Sequence, residues 1–591
     1  MRTAPNFDLC CGAEEGCGGA EHSTGGAGKS PGADTRRPRK RSERVERWRF
    51  LPRARRRTPH LALAAVAAAL LVGSTPAHAS RFHGSLTQLS GGFGCVSDGG
   101  TDGCASGRAL RGAASVAVAP GGRDVYVAAN NSSSVSIFRR DPRRGVLRQR
   151  GCVSSGVVGC ASGRGLAGAF GVASSPDGRS VYVAAFRGLA VFSRNPATGA
   201  LSQLPGAEGC VSQDGAAGCT RGRGLASASS VTVAPDGKSV YVASVSSGAV
   251  ASFARDSRGA LRQLGGVDGC VSQGGSEGCL DGRALAGAFS VAVSPTGRHV
   301  YVAALNSNAL AVFGRDPDSG ALDQLTNDDA CISQIGSEGC TLGRGLASPN
   351  GVSVSPDGRN VYVASSASGA VVALERDAGL GTVFQLPRAL GCTSQGGTEG
   401  CATGRALGGA FAVTTSLDGA NAYAVSSTGV ISFVRNPRTG ALTEFQGPQV
   451  CTTGGGTDRC ASGRALQEAS SVAITPDGRN AYVASYRSNA VAVFARNPQR
   501  ARVRIGVRGV PRRCARTTFR ARITIRSTLP IQRVRLHLNR RRLGTRAGTR
   551  RLTLRMRAGA LRPGRHRLGV AARDVGGNIG RRTVSFRRCR T

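Results

Sequence analysis

Seven copies of one short cysteine-containing segment recur along this chain. Each copy consists of Cys, eight residues (seven in one copy), Cys, two residues, Gly, Arg, Ala or Gly, and Leu. A regular period is typical of arrays in which each unit buries its apolar face against its neighbours. Here the period is 57 to 61 residues, and a set of seven units suits a closed ring. The copies begin at Cys95, Cys152, Cys210, Cys270, Cys331, Cys392 and Cys451.

Each repeat contains four short β-rich runs separated by turn residues. In the fourth copy the runs begin at Ser290 (SVAVS), His299 (HVYVAA), Ala309 (ALAVFGRD) and Ala321 (ALDQL), and none is long enough for a helix. The first turn is Pro-Asp-Gly-Arg in copies two, five and seven, and its glycine suits a tight hairpin. The VYVAA run is apolar on both sides of the pleat, so both of its faces should be covered, as in a blade packed between two others.

The number and order of these runs predict a closed ring. The last repeat lacks a fourth run of the GALxQL type, and the segment GSLTQL from Gly84 supplies one from the other end of the chain. We therefore predict an all-β fold in which residues 80–500 form a seven-bladed β-propeller of four-stranded blades, with an N-terminal strand closing the last blade. The seven first turns lie at Pro120–Gly121, Pro176–Asp177, Pro235–Asp236, Pro295–Thr296, Pro356–Asp357, Leu417–Asp418 and Pro476–Asp477.

The SPDGRxVYVA units resemble those of the YVTN-type and lactonase-like seven-bladed β-propellers. The resemblance covers residues 84 to about 500. It implies the propeller fold and, for relatives of the 6-phosphogluconolactonase type, action on a lactone or sugar acid. Because one fold of this kind carries many functions, the repeat signature is more specific for the fold than for an activity.

The N-terminal residues are typical of an export signal preceded by a basic extension. Residues 1–60 carry 14 basic and seven acidic residues, and we predict an extension that is disordered or non-native, with Val45 as an alternative start. In residues 61–79, a 13-residue apolar run follows an arginine cluster and precedes Ala77-His78-Ala79, which predicts a signal peptide cleaved between Ala79 and Ser80. The alternatives are an uncleaved anchor and a nucleic-acid-binding arm. We expect a secreted or envelope-associated protein with no transmembrane segment after processing.

Of the 19 cysteines, three precede the predicted cleavage site, 14 lie in the seven loops and two lie near the C-terminus. Paired cysteines in an exported chain indicate disulfides, and the simplest pairing is within each loop. A metal site is disfavoured, because the spacing is wrong for paired thiolate ligands and no histidine recurs beside the cysteines. We predict no metal and no cofactor. The predicted loop disulfides are Cys95–Cys104, Cys152–Cys160, Cys210–Cys219, Cys270–Cys279, Cys331–Cys340, Cys392–Cys401 and Cys451–Cys460.

The positive charge of the chain is concentrated in residues 501–591, which hold 28 arginines and one acidic residue. The net charge of the whole chain is +43. Alternating runs such as FRARITIRS from Phe519 predict a small β-sandwich with a charged outer face. The stretch AARDVGGNIGRRTVSF resembles the closing hairpin of bacterial immunoglobulin-like domains, in which Cys514 and Cys589 would join the first strand to the last. Anionic cell-wall or surface polymers are the expected partners. The scarcity of aromatic residues disfavours specific nucleic-acid binding, and a compositional bias towards arginine is the alternative.

The cysteine loops place seven arginines on one face of the predicted ring. Arginines around a channel would suit a carboxylate, phosphate or sulfate, because a guanidinium group binds such anions in a bidentate manner. The alternative is that each arginine pairs within its own unit, since an acidic residue stands two residues before the second cysteine in five loops (Asp102, Glu277, Glu338, Glu399 and Asp458). The predicted anion-binding residues are Arg108, Arg164, Arg223, Arg283, Arg344, Arg405 and Arg464.

The residues just before each first strand should approach the channel mouth. They are Ala114, Phe170, Ser229, Phe289, Asn350, Phe411 and Ser470. The three phenylalanines predict an apolar collar or packing between blades, and Asn350 distinguishes the fifth blade. In lactonase-like propellers these positions often carry histidine beside proline, whereas here the only propeller histidines are His83 and His299. We predict no catalytic residues.

Two functions therefore compete. The first is a secreted, disulfide-stabilised propeller that binds or scaffolds and attaches to the cell envelope through its cationic domain. The alternative is a lactonase-type hydrolase or cycloisomerase acting on an extracytoplasmic lactone or sugar acid. A haem-binding propeller is disfavoured, because no Cys-x-x-Cys-His attachment motif is present.

Overall fold

The computed structural model describes residues 83–445, 450–497, 503–511, 514–527, 531–539, 541–547, 549–574 and 579–589. The predicted N-terminal extension, the signal segment and the cleavage position between Ala79 and Ser80 lie outside these residues. No helix in the described part of the chain has the length and hydropathy of a membrane span.

The described residues from 83 to 497 form seven β-sheets, which are the blades. Blade 1 contains β4 (Ala113–Val118), β5 (Asp124–Ala129), β6 (Ser134–Arg140), β7 (Leu147–Ser154) and β8 (Ala161–Ser162). Blade 2 contains β9 (Gly171–Ser174), β10 (Ser180–Ala185), β11 (Gly188–Arg194), β12 (Leu201–Gln203), β13 (Cys210–Ser212) and β14 (Thr220–Arg221). Blade 3 contains β15 (Ala228–Val233), β16 (Ser239–Ser244), β17 (Ala249–Arg255), β18 (Leu261–Gln263), β19 (Cys270–Gln273) and β20 (Leu280–Gly282).

The remaining blades repeat this plan. Blade 4 contains β21 (Ala288–Val293), β22 (His299–Ala304), β23 (Ala309–Arg315), β24 (Leu322–Gln324), β25 (Cys331–Ser333) and β26 (Thr341–Leu342). Blade 5 contains β27 (Pro349–Val354), β28 (Asn360–Ser365), β29 (Ala370–Arg376), β30 (Val383–Gln385), β31 (Cys392–Gln395) and β32 (Ala402–Gly404). Blade 6 contains β33 (Ala412–Thr415), β34 (Asn421–Val425), β35 (Gly429–Arg435), β36 (Leu442–Glu444), β37 (Cys451–Gly454) and β38 (Ala461–Gly463). Blade 7 contains β39 (Ala469–Ile474), β40 (Asn480–Ser485), β41 (Ala490–Arg496), β1 (Leu86–Gln88), β2 (Cys95–Asp98) and β3 (Ala105–Gly107).

Blade 7 closes the ring with strands from both ends of the propeller. β1 pairs antiparallel with β41, and Leu86 lies opposite Arg496. The first strand of each blade packs against the first strand of the next, and β39 of blade 7 packs against β4 of blade 1. The predicted fold class, an all-β propeller with its N-terminal strand in the last blade, is confirmed.

The core lies between the blades. Every residue of β5 is buried, as the apolar character of both sides of the VYVA run predicts. One apolar cluster joins Val135 and Ile137 of blade 1 to Val181, Val183 and other residues of blade 2. The other second strands are buried in the same way, so each blade depends on its neighbours for a complete core.

The cysteine loop belongs to the edge of its blade, which the sequence analysis did not predict. β12 and β13 both pair with β11, at opposite ends of that strand, so the fourth strand of blade 2 consists of two segments. The loop then returns as β14, which runs parallel to β13. The first cysteine therefore lies within the sheet and not in a connection between blades.

Short 3₁₀ turns flank these cysteines. Those before the first cysteine are Gly91–Gly94, Gly206–Gly209, Gly266–Gly269, Asn327–Ala330 and Arg388–Gly391. Those between the two cysteines are Thr101–Gly103, Ala216–Gly218, Ser276–Gly278, Ser337–Gly339, Thr398–Gly400 and Thr457–Arg459, and one more lies at Ala558–Ala560.

The described C-terminal residues form a β-sandwich. One sheet contains β42 (Arg504–Arg508), β44 (Phe519–Arg526) and β47 (Arg551–Met556). The other contains β43 (Cys514–Ala515), β45 (Ile531–Leu538), β46 (Arg541–Ala547), β48 (Gly564–Asp574) and β49 (Ile579–Arg588). Ile523 and Ile525 of the first sheet share one apolar cluster with Val534, Leu536 and Val570 of the second.

All eight predicted disulfides are present. In the seven loops the two Cα atoms lie 4.8 or 4.9 Å apart. Cys514 and Cys589 form the eighth, with Cα atoms 5.6 Å apart, where β43 pairs in parallel with β49. Such a set of disulfides is typical of proteins that fold in an oxidising, extracytoplasmic compartment.

Candidate functional site

The first strands of all seven blades line one cavity of about 380 Å³ at the centre of the ring. The seven residues predicted to approach the channel mouth, Ala114, Phe170, Ser229, Phe289, Asn350, Phe411 and Ser470, are all in its wall. The structure therefore brings these positions together, as their repeated place before each first strand predicts.

Three phenylalanines of this wall contact each other across the channel. The Phe289 ring lies 5.6 Å from that of Phe170 and 5.3 Å from that of Phe411, and both pairs meet edge to face. Edge-to-face aromatic pairs add roughly 0.5–1.5 kcal/mol beyond the burial of their surface. The cluster places apolar surface at the centre of the ring, where a polar ligand would otherwise enter.

The polar groups of the cavity are mainly occupied in joining the blades. The Ser471 hydroxyl accepts a hydrogen bond from the Val116 amide at 3.2 Å, and Ser115 and Ser230 accept equivalent bonds from the blade that follows each of them. Asn350 differs, because its buried Oδ1 has no hydrogen-bond partner among the described residues. Among the residues that the structure describes, the wall contains no carboxylate, imidazole, thiol, amine or guanidinium group.

The seven predicted anion-binding arginines do not line this cavity. Each reaches instead to the following blade. Arg223 is representative: its Nη1 donates to Gly278 O at 2.8 Å, its Nη2 donates to Gly266 O, and its amide donates to Gln263 Oε1 at 2.9 Å. Five others, Arg108, Arg164, Arg283, Arg344 and Arg464, likewise donate to carbonyls of the next cysteine loop.

Arg405 is the exception among them. Its Nε forms an ion pair at 3.1 Å with Glu444, which occupies the position that glutamine holds in the other blades. The structure therefore does not bring the seven arginines together around a channel. Their guanidinium groups serve as links between successive cysteine loops.

Three acidic residues of the loops, Glu277, Glu338 and Glu399, also act between blades, and they do not pair with the arginine of their own unit. Glu277 accepts hydrogen bonds from the Gly224 amide at 2.8 Å and from Ser247 Oγ at 2.8 Å, and also from Gln213. Burial alone would raise the pKa of Glu277, but these hydrogen bonds from Gln213, Gly224 and Ser247 lower it overall. Through Arg223 and Glu277, the Cys210–Cys219 segment and the Cys270–Cys279 loop therefore bind each other in both directions.

A second ring of polar residues, which the sequence analysis missed, lies buried between the blades. Arg315 is representative, with its side chain 1% exposed. Its Nε donates to Tyr241 Oη at 2.7 Å, its Nη1 to Gly297 O at 2.9 Å and its Nη2 to Asp236 at 2.9 Å. The tyrosine hydroxyl in turn donates to Gly320 O at 2.8 Å. The arginines in this position are Arg140, Arg194, Arg255, Arg315, Arg376, Arg435 and Arg496.

The signal for this ring was present in the sequence. A tyrosine recurs in every second strand and an arginine recurs at the end of every third strand. Burial raises the pKa of Tyr126, Tyr301, Tyr362 and Tyr423 to about 12, so these hydroxyls stay protonated and donate to carbonyls. The tyrosine and arginine side chains are fully used in binding one blade to the next.

The two propeller histidines lie away from the channel. His299 is buried, and its Nδ1 lies 2.6 Å from Nη2 of Arg376; at this position the other blades have serine, asparagine or, in blade 1, aspartate. Burial and the Arg376 charge lower the pKa of His299. His83 precedes the closing strand, and neither histidine is in the cavity wall. Among the described residues, no group of three or more His, Cys, Asp or Glu side chains is placed to hold a metal ion.

The comparisons with known proteins support the fold. A family model described as "Lactonase, 7-bladed beta-propeller" matches residues 189–335, which run from the third strand of blade 2 to the cysteine loop of blade 4. A search among curated protein sequences gives no match.

Solved structures of several proteins are similar to this chain. The periplasmic gluconolactonase of Pseudomonas aeruginosa is 18% identical, with a TM-score of 0.40, over 62% of this chain and 94% of that one. Hydrazine synthase of Kuenenia stuttgartiensis is 17% identical, with a TM-score of 0.42, over 65% and 96%. The Cps50 (Swd1) β-propeller domain of Myceliophteria thermophila is 10% identical, with a TM-score of 0.39, over 65% and 96%. Similarities at this level carry no information about activity.

Proposed function

We propose that this protein is a non-enzymatic binding and scaffold protein of the cell envelope. The observation that carries the proposal is the wall of the central cavity, in which the described residues include no group able to act as a general acid or base. Hydrolysis of a lactone needs such a group and a stabiliser of the developing negative charge. The Phe170–Phe289–Phe411 cluster and hydroxyls engaged with neighbouring strands supply neither.

Two further features support a role outside the cytoplasm. The described residues contain eight disulfides, which persist in oxidising compartments. The sequence before residue 80 is typical of a secretory signal. Export is therefore part of the proposal, with a propeller whose cysteine loops are each closed by a disulfide.

The cationic sandwich is the attachment module in this proposal. Residues 501–591 carry 28 arginines and one acidic residue, Asp574, which gives the module a strong field for anionic polymers. The two-sheet arrangement, in which Cys514–Cys589 ties β43 to the end of β49 within the five-stranded sheet, is consistent with an immunoglobulin-like domain. Binding is expected to weaken as the salt concentration rises, because screening reduces attraction between exposed charges.

A lactonase-type hydrolase is the second candidate, and the family-model match over residues 189–335 favours it. In that case the cavity would have to bind the substrate, with Asn350 as the amide that orients it. The arginines of the cysteine loops would not hold a carboxylate there, since none lines the cavity.

One experiment separates the two candidates. The full-length protein is assayed for hydrolysis of glucono-1,5-lactone above the buffer rate, and in parallel for sedimentation with purified cell-wall material. We expect no turnover and salt-sensitive sedimentation. Turnover that falls at least tenfold in Asn350→Ala would establish the hydrolase instead.

A further inference from the structure

The three-stranded sheet of the C-terminal sandwich presents an almost purely arginine face. Its strands β42, β44 and β47 alternate between exposed residues and residues that are buried or half-buried. The ten outward positions hold two threonines, one glycine and seven arginines, and all are exposed. No hydrogen bond or ion pair to another described residue is made by these seven guanidinium groups. The arginines are Arg504, Arg508, Arg520, Arg522, Arg526, Arg551 and Arg555.

The register of the strands places these charges directly against each other. Arg504 lies opposite Arg526 and Arg508 opposite Arg522 on the β42–β44 pair. Arg520 lies opposite Arg555 on the β44–β47 pair. Like charges directly opposite on one face destabilise a sheet. Repulsion between the arginines of this face therefore lowers the stability of the sandwich, and a bound anion would relieve that repulsion.

The outer face of the five-stranded sheet is less uniform. There one pair of arginines, Arg565 and Arg587, lies face to face, but Arg567 lies opposite Ser585 and Ala571 lies opposite Arg581. An exposed apolar residue, Ile579, also interrupts that face. The two faces of one small domain thus differ in charge density, although both contain arginine.

We propose that the arginine face of β42, β44 and β47 binds a linear acidic polysaccharide. This inference rests on the proposed envelope-binding function and names its surface and ligand class. At ordinary strand and residue spacings, the face measures roughly 10 Å by 20 Å, which suits a short extended segment of polymer. Arginine presents forked donors to carboxylate and sulfate groups, whereas a lysine acts as a point charge.

The uncharged positions favour a sugar polymer over other polyanions. Thr524 and Thr553 lie among the arginines and offer hydroxyls that exchange hydrogen bonds with sugar hydroxyls. The face has no aromatic residue on which nucleic-acid bases would stack. It also has no apolar side chain that would enter a lipid bilayer, as interfacial binding requires.

The test compares two variants of the full-length protein that lose the same charge. The first is Arg508→Gln, Arg520→Gln, Arg522→Gln and Arg555→Gln, which removes two opposed pairs from the proposed face. The control is Arg565→Gln, Arg567→Gln, Arg581→Gln and Arg587→Gln, whose side chains are exposed on the other sheet. Affinity for polygalacturonate at low salt is measured, with uncharged dextran as the reference polymer.

We expect the first variant to bind polygalacturonate about 10- to 100-fold more weakly and the control to change less than about threefold. The first variant should also unfold at a higher temperature than the wild type, because the opposed charges are relieved. If it fails to fold, the same positions changed to lysine should still weaken binding, because the forked donors are lost.

Several results would overturn the inference. Equal losses in the two variants would show a general charge effect. Tighter binding of the wild type to duplex DNA, or to vesicles of anionic phospholipid, would assign the face to another partner. Absence of polygalacturonate binding by a protein that still sediments with cell walls would reject this surface while leaving the proposed function intact.

Discussion

Blade 4 supplies no carboxylate to the buried ring of arginines, because Thr296 stands where five other blades have an aspartate in the first turn. Arg376 faces His299 instead, and this imidazole should make the propeller sensitive to acid. In blade 1 the turn also lacks aspartate, but Asp124 at the first position of β5 pairs with Arg194. His299 occupies the same position of β22 and faces Arg376. The change His299→Asp therefore copies an arrangement that the protein already uses.

The expected gain follows from the type of hydrogen bond. A neutral acceptor contributes roughly 0.5–1.5 kcal/mol and a charged one roughly 1.5–3 kcal/mol. His299→Asp should thus stabilise the propeller by about 1–2 kcal/mol at neutral pH. Because the pKa of His299 is lowered on folding, the unfolded chain binds the proton more tightly. The wild type should therefore lose stability as the pH falls below about 6.5, by at most about 1.4 kcal/mol per pH unit.

The assay is denaturant unfolding of the full-length protein between pH 5 and 8, and His299→Asn is the matched control. Asparagine holds this position in blades 5, 6 and 7, where it accepts from the arginine without titrating. The charged neighbours of His299 are Arg376, Arg298 and Asp377, and all three remain in both variants. A wild type and an asparagine variant with the same pH dependence would refute the reasoning, as would an aspartate variant less stable than the wild type at pH 5.

Three further predictions concern the links between blades. Tyr241→Phe removes the hydroxyl that accepts a hydrogen bond from Arg315. Because a buried donor then loses its partner, the free energy of unfolding measured with denaturant should fall by about 1–3 kcal/mol. A decrease below about 0.5 kcal/mol would contradict this. Arg223→Ala frees two carbonyls of the next loop, so amide exchange in residues 266–279 should accelerate while exchange in the second strands stays slow; unchanged loop exchange would count against the linkage. Replacing Cys210 and Cys219 by serine should lower the free energy of unfolding by about 2–3 kcal/mol, seen as a lower denaturation midpoint. An unchanged midpoint would show that the loop is ordered without its disulfide.

The architecture could be predicted from the sequence because its evidence is local and repeated. The alternation of VYVA runs with Pro-Asp-Gly turns defines a blade, and the displaced GSLTQL segment indicates how the ring closes. The pairing of each cysteine within its own loop follows from short separation. Each of these inferences needs only neighbouring residues or a count of copies.

The roles of the arginines could not be predicted in the same way. Arg223 and Arg315 both recur once per repeat, and neither pattern shows which blade receives the side chain. Their partners lie in an adjacent blade, at the Cys270–Cys279 loop for Arg223 and at Tyr241 for Arg315. Contacts of this kind depend on how blades stack. The repeats show that each arginine recurs at a regular spacing, but they do not show which neighbouring blade its side chain contacts.

The position of the cavity and an apolar collar of phenylalanines were predicted, but the contacts between the rings were not. Phe170, Phe289 and Phe411 alternate with small or polar residues, and only the closed ring shows that the three rings touch. Their contact gives an apolar lining to the cavity in which an active site would lie.

The rate of lactone hydrolysis by the full-length protein is the most direct test of this account. Purified protein is mixed with glucono-1,5-lactone at neutral pH, and acid release is followed against buffer alone and against Phe289→Ala, which opens the cavity wall. The account predicts that all three rates are equal, since no group in the wall can take up a proton. Saturable turnover by the wild type would contradict it.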